Sequence, residues 1–163
     1  MDSRDFKGSG AAALPSGGQG AEVGRSDARL VAAYRQTTFS ADTSVGEVQI
    51  RPGGSSKALD RLLAEADVES WAHITACNPG SRSLSDEENL QRNDELRRSL
   101  EAGGLRYFPG AGRGDDGWTE PGFLVLGLSR EDACSFGAEF GQNAIVFGVR
   151  GQPAELVLMD PDE

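Results

Sequence analysis

Apolar residues recur along the first part of this chain with the spacings of helices and short strands. Residues 27–36 and 55–66 repeat them every three to four positions, which is typical of one helix face. The second of these segments also begins with serines suited to a helix N-cap. Between them, TTFSAD and GEVQIRPG have the composition of two short strands joined by a turn. The pattern therefore predicts a helix, a β-hairpin and a second helix before residue 70.

From Trp71 onward the pattern becomes regular. Two helices are marked at their starts by capping residues, Ser85 with Glu88 and Ser129 with Asp132, and the first of them closes on a Gly-Gly pair. A proline and a glycine inside the third strand predict a bend or bulge there, because proline cannot donate to a ladder. The predicted elements are strand 71–77, helix 85–104, strand 105–109, loop 110–117, strand 118–128, helix 129–141, strand 142–149 and strand 154–160.

This βαββαβ order is typical of a ferredoxin-like fold. The fold class we predict is α+β, a split βαβ two-layer sandwich with an N-terminal β-hairpin and helix extension and one extra C-terminal strand. Right-handed crossovers and a hairpin between the second and third strands give these strands the sheet order 4-1-3-2. We predict a single domain over residues 27–163, with its core at 71–149.

Residues 1–26 are rich in Gly, Ala and Ser, and they contain almost no large apolar side chain. We predict a disordered tail, because such a segment buries too little surface to offset its ordering entropy. Its longest apolar run, AAAL, is too short for a secretion signal, and no run approaches the length of a membrane span. The expectation is a cytoplasmic protein without membrane contact.

The net charge of −10 belongs to the folded part, because the first 29 residues carry equal numbers of acidic and basic side chains. Such a surface repels phosphate backbones, so we expect no nucleic-acid partner. The alternative explanation is that the acidic surface serves only to keep the protein soluble. The chain has one histidine and two cysteines without a paired motif, which argues against a metal site and gives no indication of a cofactor.

The predicted topology brings three remote polar segments to one edge of the sheet, where the helix that starts at Ser85 also begins. These segments are the end of the first strand, the hairpin side of the third strand and the start of the fourth strand. The polar residues that we expect to meet there, with their neighbours on the loop and helix, are Asn78, Ser81, Arg82, Ser83, Asn89, Arg92, Asn93, Trp118, Glu120, Gln142 and Asn143.

Two interpretations of this edge remain open. Half-buried carboxamides beside a loop commonly bond loose backbone groups. In the other interpretation they bind a small polar ligand, and Arg82 or Arg92 supplies positive charge. A phosphate could bind at the Gly/Ser loop before the helix. However, the first turn of that helix already carries three acidic residues, Asp86, Glu87 and Glu88, which oppose an anion.

For catalysis, Glu120 is the best acid–base candidate, since Trp118 and Pro121 flank it and could desolvate it. The alternative is an ordinary loop carboxylate. His73 and Cys77 lie on the same face of a strand but about 13 Å apart by the strand rise, so they cannot form a nucleophile pair. We expect Trp118 to be an aromatic residue of the core or of its rim.

Residues 71–149 resemble the bacterial domain-of-unknown-function family 3293, and the likeness extends upstream to about residue 30. The matching segments are ITACNPGSRSLSDEEN, WTEPGFLVLG and AEFGQNAI, with AYRQTTF and EVQIR before them. One departure is Cys77, where a bulky residue is expected. The resemblance implies no activity. The positions that fall on the family's motifs are Asn78, Pro79, Ser83, Asn89, Trp118, Glu120, Phe123, Gln142 and Ala144.

Our leading hypothesis is a non-catalytic module that binds a small polar ligand or a protein partner at the Asn78/Glu120/Gln142 edge. The alternative is a hydrolase or transferase with Glu120 as general base and Asn78, Arg82 and Gln142 positioning the substrate. A third possibility is an interaction protein that pairs through an exposed strand, such as AELVLMD. The oligomeric state does not follow from the sequence.

Overall fold

The computed structural model describes residues 28–159, so the predicted tail lies outside the described residues. Four helices and seven strands follow one another along this part of the chain. The helices are α1 (Ala28–Arg35), α2 (Lys57–Ala66), α3 (Asp86–Ala102) and α4 (Arg130–Glu139). The strands are β1 (Thr38–Thr43), β2 (Gly46–Ile50), β3 (Ser70–Ile74), β4 (Arg106–Arg113), β5 (Thr119–Leu126), β6 (Ala144–Val149) and β7 (Glu155–Leu158).

All seven strands form one antiparallel sheet, with the order β2-β1-β4-β5-β3-β6-β7. The four central strands have the order that the sequence predicted for them. The N-terminal hairpin joins this sheet beside β4, and the last strand joins it beside β6. The fold is therefore an α+β fold in which the extensions continue the central sheet.

Helices cover both faces of the sheet. Ala72 and Ile74 point to the face on which α3 and α4 pack, and they share a core with Leu96 and Leu100 of α3. Trp71 points to the other face and packs with Leu63 of α2. The predicted alternation of β3 is confirmed, and α2 adds a layer to the two that were expected.

The predicted loop at residues 110–117 is wrong in its first half. β4 continues to Arg113, because residues 110–113 pair with β1 on one side and with β5 on the other. Only the turn at 114–118 remains, closed by Gly114 N donating to Trp118 O at 2.7 Å. No bulge occurs at Pro121, since the β4–β5 register runs without interruption from residue 106 to 126.

The sheet curls so strongly that β1 and β3 approach each other, although two strands separate them. His73 Nε2 donates to Ser40 O across this gap at 2.9 Å. Two glycines in the intervening strands permit the approach. A Cβ at Gly110 would lie 1.9 Å from Ser40 O, and a Cβ at Gly122 would lie 2.8 Å from Ile74 O. The curl brings the start of β1 and the end of α1 toward β5.

Candidate functional site

The chain leaves the sheet after Ile74, three residues earlier than predicted, because side chains replace the ladder partners of the next residues. Asn93 Oδ1 accepts from Ala76 N at 2.8 Å, and Asn89 Oδ1 accepts from Asn78 N at 2.8 Å. Both asparagines lie on α3, whose position is set by its capping box and its buried leucines. The helix therefore guides the segment that follows β3.

The carboxamides bond mainly to one another and to the backbone. Asn78 Oδ1 accepts from Asn89 Nδ2 at 2.8 Å and from Leu84 N at 2.9 Å. Asn93 Nδ2 donates to Pro121 O at 3.0 Å, and Gln142 Nε2 donates to Cys77 O at 3.0 Å. We call Asn78, Asn89, Asn93 and Gln142 the amide frame. The three predicted segments do meet, and the frame joins them.

Glu120 lies at the centre of this meeting point. Its Oε2 accepts from Asn78 Nδ2 at 2.8 Å, and only 9% of the residue is exposed. Within residues 28–159, the ion pairs do not include Glu120. Burial raises the pKa of the Glu120 carboxyl to about 8, and the hydrogen bond from Asn78 opposes the rise. The carboxyl is therefore mostly protonated at neutral pH.

Tyr34, at the end of α1, is a neighbour of Glu120 that the sequence reasoning missed. The pKa of its hydroxyl is raised by burial and then by the charge of Glu120, while a hydrogen bond with Ser81 opposes the rise. The helical pattern placed Tyr34 on the apolar stripe of α1, and the curl of the sheet carries it to the site. The available signal was its place in the AYRQTTF segment of the family resemblance.

The loop between β3 and α3 has an unusual backbone. Asn78 and Ser81 have φ values of 47° and 65°, and Gly80 between them has a φ of 64°. Left-handed conformations of non-glycine residues persist only where the surroundings enforce them, and they concentrate at functional sites. Here Ser81 Oγ accepts from Asn143 Nδ2 at 2.8 Å, and Gly80 N donates to Gly141 O at 2.7 Å. These bonds hold Ser81 beside Tyr34.

The positive charges proposed for the site have other positions. Arg92 Nε donates to Ala76 O at 2.6 Å and its Nη2 donates to Phe140 O, so this guanidinium bonds backbone carbonyls. Arg82 and Ser83 are exposed on the loop. Glu88 accepts from Ser85 N in the capping box, as predicted. A phosphate at this helix start would meet the acidic first turn without a buried cation.

Cys77 and His73 are both buried in uncharged forms. Burial raises the pKa of the Cys77 thiol, and the charge of Glu120 adds to the rise. Burial lowers the pKa of His73 to about 4, and its bond to Ser40 O opposes this shift. Neither group is poised as a nucleophile or base. Within residues 28–159, no three Cys, His, Asp or Glu side chains are grouped as metal ligands.

A pocket of about 310 Å³ opens between α1 and the turn at 114–118, next to Glu120 along β5. Tyr34, Thr37 and Trp118 contribute to its walls. Trp118 is 4% exposed, and its indole Nε1 has no hydrogen-bond partner within the described part of the chain. Tyr34 lines this pocket and also lies near Glu120, which is not itself among the described lining residues.

The fold and the site define a small α+β domain with a buried carboxyl that, within residues 28–159, has an amide partner and no cation. Residues 74–145 match the family described as protein of unknown function (DUF3293), and this match supports assignment of the chain to that family. The matched range includes the whole amide frame and Glu120, but not Tyr34. A search of curated proteins and a search of solved structures found no match. Among residues 28–159, no helix has both the length and the apolar character needed to cross a membrane.

Proposed function

We propose that this domain is a non-catalytic module that binds a small polar ligand at the Asn78/Glu120/Gln142 edge, in contact with Glu120 and Tyr34. The single observation that carries the proposal is Glu120, a buried carboxyl for which the described residues supply one amide donor and no cation. Burying such a group costs folding free energy, and a residue of similar shape without a charge would avoid that cost. A ligand that uses the carboxyl explains its presence.

The amide frame has a supporting role in this proposal. Its carboxamides hold the loop that carries Asn78 and Ser81, and Asn78 in turn orients Glu120. A site held in place by such bonds does not have to order itself when the ligand arrives, which favours affinity. The ligand then contacts Glu120, Tyr34 and the loop, while the frame stays inside the protein.

Two further expectations join the proposal. The strand order and the packing of α3 and α4 on one face support a ferredoxin-like, split βαβ core within the seven-stranded sheet. The two free thiols, Cys77 and Cys134, support a cytoplasmic location.

A thermal-shift screen of the full chain against a metabolite library tests the proposal. A ligand that binds only the folded state raises the melting temperature by mass action. We expect hits whose affinity falls at least fivefold in Glu120→Gln and in Tyr34→Phe. Glu139→Gln, which makes the same charge change at an exposed position of α4, should leave the affinity unchanged. Hits that are indifferent to both site variants would place the binding site elsewhere.

The second candidate function is an enzyme with Glu120 as general base and with Asn78, Arg82 and Gln142 positioning the substrate. One observation favours it: a pKa of about 8 lies close to the working pH, where acid–base catalysis is most efficient. Turnover in a screen of phosphoesters, esters and nucleotides, with a pH–rate limb near 8 that disappears in Glu120→Gln, would establish the enzyme. Binding without turnover would support the non-catalytic module instead.

A further inference from the structure

The pocket beside Glu120 has a chemical character that narrows the class of ligand. It lies between α1 and the turn at 114–118, and its described lining includes the aromatic rings of Tyr34 and Trp118. Its volume of about 310 Å³ is at the lower end of the range for small-molecule sites. The pocket therefore suits a compound of few heavy atoms. The inference below rests on the proposed function.

Trp118 provides the first constraint on that compound. Its backbone N donates to Asp116 Oδ1 at 3.1 Å, which fixes the turn, but its indole N–H has no partner within residues 28–159. A buried donor without an acceptor costs about 1–3 kcal/mol. A ligand oxygen, from a hydroxyl or a carbonyl group, would satisfy this donor. Tryptophan indoles commonly find such a partner when they are buried.

The charges around the pocket provide the second constraint. Asp115 and Asp116 lie in the lining, and Glu120 is close enough to Tyr34 for its charge to act on the tyrosine hydroxyl. Arg29 also lines the pocket but has interactions of its own, and Arg51 pairs with Asp115 at 3.6 Å. The net charge of the chain is −10. Carboxylates and aromatic faces together attract a cation and repel an anion.

We propose that the pocket between α1 and the turn at 114–118 binds a small organic ammonium compound that carries a hydroxyl or carbonyl oxygen. The ammonium group lies against the rings of Tyr34 and Trp118 on the side of the carboxylates. The oxygen accepts from the indole N–H of Trp118. This assignment gives an acceptor to the buried indole donor, which has none within residues 28–159, and it places a positive charge near Glu120, whose partner there is the amide of Asn78.

Indole N–H resonances provide the test, because the chain has two tryptophans, Trp71 and Trp118. The full chain labelled with ¹⁵N is titrated with ethanolamine and choline as cationic probes. Glycolate and ethylene glycol serve as anionic and neutral probes of similar size. We expect the Trp118 indole resonance to move with both cations and to stay in place with the other two probes. The Trp71 resonance, assigned through Trp71→Phe, should not move.

Three variants sharpen the result. Asp115→Asn and Glu120→Gln should each weaken ethanolamine binding several-fold, whereas Glu139→Gln should not. Because a bound cation lowers the pKa of Glu120, binding near neutral pH should release a proton. Calorimetry in buffers of different ionisation enthalpy detects that proton, and its absence in Glu120→Gln is the matched control.

The outcomes separate this inference from the proposed function. If the anion or the neutral probe moves the Trp118 resonance as strongly as the cations do, the ammonium assignment is overturned while binding at this edge stands. If neither these probes nor any hit from the metabolite library disturbs Trp118 or depends on Glu120, both proposals fall. Cation binding that leaves the Trp118 indole unchanged would also overturn the assignment.

Discussion

The amide frame and the neighbouring groups Glu120 and Trp118 are all buried, yet they use their polar atoms differently. In the frame, the carboxamides of Asn78, Asn89 and Asn93 find partners in one another and in the backbone. Beside the frame, Trp118 Nε1 has no partner within residues 28–159, and Glu120 has one amide partner and no cation there. Asn78 connects the frame to Glu120, because its Nδ2 donates to Glu120 Oε2.

This difference teaches how to read a cluster of polar residues. A buried polar group with satisfied hydrogen bonds contributes to the structure, and its removal is felt in stability. A buried polar group that lacks a suitable partner costs stability, and a ligand can supply the missing interaction. The carboxamides of the frame therefore have the structural role, in which they bond the backbone and one another. The ligand-binding role falls to Glu120 and the neighbouring pocket. Three stability measurements and one labelling experiment test that division.

Asn93→Ala should give the largest loss of stability. The change leaves Ala76 N and Pro121 O without their partners in a buried region, and we expect the free energy of unfolding to fall by about 3 kcal/mol. Urea unfolding measures the loss. Gln91→Ala, at an exposed position of the same helix, is the control and should change stability by less than about 0.5 kcal/mol. Equal effects of the two variants would show that the hydrogen bonds of Asn93 do not stabilise the fold.

Glu120→Gln should stabilise the protein in alkaline solution. Folding raises the pKa of this carboxyl from 4.5 to about 8, so between these values the folded state keeps a proton that the unfolded state has lost. Wild-type stability therefore falls as the pH rises through this window, by up to about 1.4 kcal/mol per pH unit. Near pH 9 the variant should be more stable by about 5 kcal/mol, and near pH 4 the advantage should vanish. An equal gain at both pH values would show that Glu120 does not titrate as described.

His73 should have the opposite pH dependence. Folding lowers its pKa from 6.5 to about 4, so the unfolded state takes up a proton first as the solution is acidified, and stability is lost on that side. Between about pH 4.5 and 6.5 this slope offsets that of Glu120. In the double variant His73→Gln/Glu120→Gln, both slopes should disappear. His73→Gln alone should be less stable than wild type near neutral pH by about 1–2 kcal/mol, because the contact with Ser40 O is weakened.

The smallest predicted effect concerns the two thiols, which should differ clearly in their rates of alkylation. Cys77 is buried with a raised pKa, while Cys134 is half-buried and its thiol is nearer to solvent. Alkylation of the folded protein should modify Cys134 at least tenfold faster, which corresponds to about 1.4 kcal/mol. Mass spectrometry of timed samples measures the ratio, and denaturation in urea is the control that should equalise the rates. Rapid labelling of folded Cys77 would mean that the segment after β3 opens readily.

Much of the fold could be predicted because its signals are local. Ser85 with Glu88 marked the start of α3, and the glycine pair after Ala102 marked its end. Alternation along β3 assigned its side chains to the correct faces. The second half of β4 could not be predicted from its own residues, since its glycines have low strand propensity. It is a strand because β1 and β5 pair with it on its two sides.

The candidate site shows the same limit. Topology was sufficient to predict that Asn78, Glu120 and Gln142 would come together, because the ends of these elements lie at one edge of the sheet. Tyr34 could not be added to them, since its position depends on the curl of the sheet, which depends in turn on the close approach of strands at Gly110 and Gly122. Which carboxamides bond one another also depended on distances of about 3 Å that no spacing along the chain encodes.

Local signals in the sequence were enough for the elements, their order in the central sheet and the meeting of three polar segments, because caps, periodicity and chain connectivity act over short stretches. Which buried polar groups are satisfied is set instead by the packing of distant parts of the chain. That outcome depends on the partners that folding places within hydrogen-bond reach of each atom. Here folding placed amides around one another and left the indole N–H of Trp118, a residue that lines a pocket, without a partner among residues 28–159.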